Sequence, residues 1–163
     1  MNPTHLHLLL NHFPIVGTLI GSAILFYGVI KSQNAGKTIG ALIIVIMAIV
    51  AVPVLLTGEP AEESIEHLSG ISETLIHDHE ETSEKAFWLM EASGALSLLA
   101  LILYRKKSVY ASKTFWMAFA FAAITFFAMA WTGYLGGKIR HPETSNTFVA
   151  DKPATNIQTE NGQ

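Results

Sequence analysis

Seven histidines and a cluster of glutamates carry the chemistry available to this chain of 163 residues. Neutral imidazole is a ligand for haem iron and for zinc or non-haem iron, and carboxylate oxygens complete mixed sites of the second kind. The histidines are His5, His7, His12, His67, His77, His79 and His141. Glu59, Glu62 and Glu63 lie in one acidic segment, and Glu80 and Glu84 lie close to His77 and His79 in sequence. The chain has no cysteine. That excludes disulfides, thiolate metal sites, iron–sulfur ligation and covalent c-type haem attachment. No glycine-rich nucleotide fingerprint and no basic nucleic-acid patch is present, so nucleic acid is not an expected partner.

Four apolar stretches separate these groups, approximately 13–30, 38–57, 87–104 and 114–133. Each approaches the roughly 20 residues that a helix needs to cross a bilayer. A soluble bundle of buried helices would show polar faces, and GALIIVIMAIVAVPVLL offers almost none. The expected fold is an all-α polytopic membrane protein, four transmembrane helices in an antiparallel bundle. Residues 1–145 form that domain, and 146–163 are expected to be a polar, disordered tail.

Lys31 and Lys37 occupy the first connection and Arg105, Lys106, Lys107 and Lys113 the third. The middle segment, about 58–85, holds nine acids against Lys85 alone. The positive-inside rule puts the basic loops in the cytoplasm. The expected location is a bacterial cytoplasmic (inner) membrane, with the N- and C-termini and the acidic segment periplasmic. Counting crossings then puts every histidine at one surface, with every acid except Glu91, one turn inside the third span. An ionisable group there costs a few kcal/mol unless it is paired, protonated or wet, so Glu91 is a candidate for a proton route or for pairing with Lys85. No basic n-region or small-residue cleavage pattern marks a signal peptide.

Gly58 and Pro60 are expected to end the second helix, with a short helix over Ala61–Leu68 after it. The third helix reads unbroken from Ser72 to Leu103, so about four turns would project beyond the membrane. Its positions His79, Ser83, Ala86, Met90, Ser93 and Ser97 follow a 3-4 spacing. Ala118, Ala122, Thr125, Met129, Thr132 and Gly136 do the same on the fourth. Small and weakly polar residues collect at helix interfaces in membranes, so these stripes should face each other. That register points His79 inward and puts His77 among Glu80, Glu81 and Glu84. Gly17-x-x-x-Gly21 and Gly133-x-x-x-Gly137 suit close contact in one bundle, a homodimer or a larger membrane complex.

His12 sits in N-H-F-P-I-V, where Asn11 or His12 can cap the first span and Pro14 suits a first helical turn. His141 follows the fourth helix in G-G-K-I-R-H-P-E. His12, His79 and His141 are therefore the candidate cofactor-binding residues, with His12 and His79 as an axial pair for haem b. A non-haem iron or zinc site would combine these imidazoles with carboxylates from Glu59, Glu62 and Glu63 after the second helix or Glu80 and Glu84 on the third. The carboxylates favour the second chemistry, because haem needs only axial ligands.

The segments L-N-H-F-P-I, Leu10–Ile15, and T-G-Y-L-G-G-K-I-R-H-P-E, Thr132–Glu143, resemble the H-F-P and G-G…H signatures of a family of small bacterial four-helix membrane proteins of unknown function. T-G-E-P-A-E-E at Thr57–Glu63 and H-E-E at His79–Glu81 resemble one of its subgroups. The resemblance spans about residues 5–145 and implies His12, Glu59, Glu62, His79 and His141 as functional positions. Similar modules are sometimes joined to Rieske or cytochrome c domains, which implies electron transfer. The expected function is a membrane redox protein with a haem b or metal centre at the outer face, exchanging electrons with a quinone or an outer-face redox protein. The alternatives are a non-haem metal-dependent membrane enzyme using Glu59 or Glu80 as base, or a metal-binding, transport or structural membrane subunit.

Overall fold

A computed structural model describes residues 3–63 and 73–140, with side chains from 5 to 63 and 73 to 139. It is all helical: α1 (Pro3–Leu10), α2 (His12–Ile30), α3 (Asn34–Glu63), α4 (Glu73–Arg105) and α5 (Ala111–Arg140). The chain is a bundle of four long helices, with α1 prefixed to α2, each apolar enough to span a membrane. The polar tail, His67 and His141 lie outside the described residues.

Three boundaries differ from those read in the sequence. Asn11 is helical (φ −62°, ψ −25°) and makes no side-chain cap, while its N–H donates to the His7 carbonyl at 2.9 Å. α1 and α2 therefore run on almost as one helix, and Pro14 lies about three turns from its start. α3 continues through Pro53 and Pro60 to Glu63. Gly58 and Pro60 do not stop it, and Ala61–Glu63 belong to α3, while residues 64–68 of the short helix expected there lie outside the described residues. Each proline withholds one N–H from the ladder, a local loss that a packed helix tolerates.

α2 and α4 both end in a six-residue backbone loop closed from the C″ amide. Gln33 N–H donates to Gly28 and Ser108 N–H to Leu103, with Ser32 and Lys107 at φ 54°. This is the Schellman arrangement that turns a chain sharply out of a helix. It makes α2–α3 and α4–α5 antiparallel hairpins. Both turns lie at the end of the bundle opposite the start of α1 and the end of α5.

The packing is inverted relative to a water-soluble bundle. Ala48, Ala86, Ser93, Ser97, Ala118 and Ala122 are buried, while Ile49, Leu56, Trp88, Phe127 and Trp131 are exposed. Large apolar chains outside and small ones inside are what helices need when lipid surrounds them. Gly28 and Gly36 form the tightest crossing: a Cβ on Gly28 would lie 2.3 Å from the Lys37 amide nitrogen. Gly17 and Gly21 also face α3, so that pair is used within the bundle.

The stripes on α4 and α5 do face each other. Ser93 Oγ and Thr125 Oγ1 share a hydrogen bond of 2.8 Å, and Thr125 also donates to the Leu89 carbonyl at 3.1 Å. Buried hydroxyl pairs between membrane helices contribute about 0.6 kcal/mol on average and up to about 1.7. A Ser93→Ala/Thr125→Val double-mutant cycle, measured by unfolding in mixed micelles, should return a coupling energy in that range.

Candidate functional site

At the end where α1 begins, the helices separate around a cavity of 490 Å³. Three elements bring the polar groups to it. α1 and its junction with α2 supply His7 and Asn11, the last turns of α3 supply Glu59 and Glu62, and α4 supplies His79, Glu80 and Glu84. Ile15, Leu55, Phe87 and Met129 form much of the apolar wall. These polar groups lie outside the four apolar stretches of the sequence.

His7 and Asn11 reach the cavity because they continue the buried face of α2. Positions 7, 11, 14, 18, 22 and 25 are spaced three or four apart, and Pro14, Thr18, Ser22 and Leu25 are buried. His7 Nδ1 lies 3.2 Å from the Val54 carbonyl oxygen and 3.3 Å from Thr57 Oγ1. A carbonyl can only accept, so Nδ1 carries the proton and Nε2 keeps the lone pair. His79 repeats the arrangement on α4, with Nδ1 3.1 Å from the Thr132 carbonyl oxygen. Each ring rests near a glycine: a Cβ on Gly136 would come within 3.1 Å of the His79 ring, and one on Gly58 within 3.7 Å of the His7 ring.

Burial lowers the pKa of both imidazoles and holds them neutral. The Val54 bond partly offsets this at His7. At His79 the Thr132 bond offsets it in part, while the neighbouring His7 adds to the depression. Neutral rings with a fixed Nδ1–H are in the state that coordinates metals, and a carbonyl on the second nitrogen is the usual orienting partner. Glu62 is half-buried, and its pKa is pushed up to about 7 by desolvation and then by Glu80 and Glu59. No basic side chain relieves this charge among the described residues. Lys85 is held by Glu81 at 2.6 Å on the exposed face of α4.

Of the positions singled out in the sequence, Glu59, Glu62 and His79 line one cavity. His12 does not. It is exposed, on the side of the helix that carries His5, and its Nδ1 turns back to the Leu8 carbonyl at 3.1 Å. His77 is exposed. Glu91 is not paired with Lys85, and its Oε1 is buried without a hydrogen-bond partner. The residue missed was His7. The signal for it was the same 3-4 stripe that selects His79, read backward from Leu25 to His7.

The donors fit a cation by type, since two imidazole nitrogens and several carboxylates line one acidic cavity. Their present placement is looser. Among the described residues no three His, Asp or Glu side chains converge tightly enough to hold a metal ion. A carboxylate would have to swing toward the histidines on loading. Comparison with known proteins finds no matching family model, no matching curated protein and no matching solved structure, so none supplies a family for the H-F-P and G-G…H signatures.

Proposed function

We propose that this chain is an electron-transfer protein of a bacterial inner membrane, with an iron centre in the cavity on His7 and His79. The observation that carries this reading is the pair of partly buried imidazoles, each oriented by a backbone carbonyl, in one cavity with carboxylates that meet no basic side chain among the described residues. A cation would relieve the repulsion among Glu62, Glu59 and Glu80 and take up the Nε2 lone pairs. Glu59 and Glu62, on the last turns of α3, are the candidates for a third ligand. When bound, the iron would supply one-electron exchange, while the protein keeps the rings neutral and oriented. The basic turns at the opposite end of the bundle support a periplasmic cavity through the positive-inside rule. The α4 turns before residue 87 would then project from the membrane.

A b-type haem is the second reading. It needs only two axial imidazoles, which suits a site where no third ligand converges among the described residues. Against it, the surrounding glutamates would repel the haem propionates. An absorption spectrum of the purified protein, oxidised and dithionite-reduced, with metal analysis of the same sample, separates these readings. Stoichiometric iron without a reduced α-band is the expected result. An α-band would turn the assignment to haem, and zinc in place of iron would remove electron transfer.

A further inference from the structure

The end of the bundle opposite the cavity carries positive charge that no described residue neutralises. Lys31 and Lys37 lie at the α2–α3 turn, and Arg105, Lys106, Lys107 and Lys113 at the α4–α5 turn. No Asp or Glu occurs among residues 1–58 or 92–142. The acid nearest to Arg105 along α4 is Glu91, about 21 Å away at 1.5 Å of rise per residue. Lys113 also stands in the first turn of α5, where the helix dipole is itself positive and no acidic residue offsets it.

The two turns differ in what surrounds their charges. Ser32, Gln33 and Asn34 make the α2–α3 turn polar and exposed. The α4–α5 turn is tipped instead by Val109 and Tyr110, 84% and 64% exposed. Apolar chains this exposed at the end of a membrane bundle belong in the boundary between headgroups and acyl chains. Below the tip, Lys113, Trp116 and Ala120 follow one another at 3-4 spacing on α5, and all are exposed. Trp116 meets Phe26 of α2 edge-on at 6.4 Å, and Phe26 stacks on Phe119 at 4.7 Å. A lysine thus stands above an aromatic surface shared by two helices, and the short Ala120 side chain fills little of the face below Trp116.

We propose that the α4–α5 turn binds an anionic phospholipid, its phosphate against Lys107 and Lys113 and an acyl chain along Trp116 and Phe26. Basic side chains beside a membrane span attract anionic headgroups, each contributing about fivefold in affinity. A zwitterionic lipid carries its own ammonium group and brings no net counter-charge. A soluble anion would meet the lysines but make no use of the apolar tip or the aromatic surface. The site lies at the far end of the bundle from the cavity and does not rest on the iron centre.

The test uses the full chain carrying Trp88→Phe and Trp131→Phe, which leaves Trp116 as its one tryptophan, in phosphatidylcholine bilayers. Lipids brominated on their acyl chains quench a tryptophan that they touch. Brominated phosphatidylglycerol and brominated phosphatidylcholine are compared at equal mole fraction. Phosphatidylglycerol should occupy the position beside Trp116 about tenfold more readily. Lys107→Gln with Lys113→Gln should bring the two lipids to parity. Lys31→Gln with Lys37→Gln removes the same charge from the other turn and should keep the preference. Circular dichroism checks the fold of each variant, and the comparison of the two lipids in the parent protein needs neither lysine pair. Equal quenching by the two lipids, a preference that survives Lys107→Gln with Lys113→Gln, or one lost equally with Lys31→Gln and Lys37→Gln would overturn the proposal. A preference abolished by glycerol phosphate at constant ionic strength would also overturn it, by assigning the lysines to a soluble anion.

Discussion

His79→Ala should lower iron affinity by about 100-fold or more, and His7→Ala should do the same, whereas His12→Ala should leave it unchanged. Loss of a group that merely orients a ligand already costs 10–100-fold in metal affinity, so loss of the ligand sets a larger effect. His7 and His79 share the features that make an imidazole a ligand. Each is partly buried, each lines the cavity, and each commits Nδ1 to a carbonyl of a neighbouring helix, which leaves Nε2 with its lone pair. His12 bonds to its own helix at Leu8 and is exposed to the surroundings. Equilibrium dialysis against buffered ferrous ion measures all three variants on one scale. A loss at His12 equal to that at His79 would move the site to the exposed side of the α1–α2 helix.

The largest stability effect should come from Gly28→Ala. The added methyl would meet backbone atoms of Gly36 and Lys37 at 2.3–2.8 Å, and backbone cannot rotate away as a side chain can. The two helices must separate, and overpacking of this kind costs about 3 kcal/mol. Gly137→Ala is the matched control, because nothing lies within 4 Å of the position its Cβ would take. There the higher helix propensity of alanine should stabilise the protein by about 0.5–1 kcal/mol. Unfolding of both variants in mixed micelles checks the sign and the size of each.

Much of this architecture was legible in the sequence because lipid simplifies it. Four apolar stretches gave four helices, and the small-residue stripes on α4 and α5 gave the faces that meet at Ser93 and Thr125. The same rule selected His79 over His77. The N-terminal register was harder to see, because the H-F-P segment drew attention to His12 and suggested a helix start there. The helix instead begins at Pro3, so the buried face passes through Pro14 and Asn11 to His7. Gly58 and Pro60 are helix-ending signals for an isolated chain, yet α3 continues past both. That continuation carries Glu59 and Glu62 on a helix rather than a loop. The fate of Lys85 follows a local rule, since Glu81 stands four residues before it in the favoured orientation for a helical pair. Glu91 is left without that partner. No sequence pattern encodes the cavity itself, because its volume depends on how far the helices part at that end.

The most direct test of the account is an anomalous-scattering map, recorded at the iron absorption edge, from crystals of protein loaded with ferrous ion in place. A single peak in the cavity within coordination distance of both His7 Nε2 and His79 Nε2, with a carboxylate from Glu59 or Glu62 turned toward it, is the predicted result. A peak at His12, or a loaded crystal with no peak near His7 and His79, would contradict it.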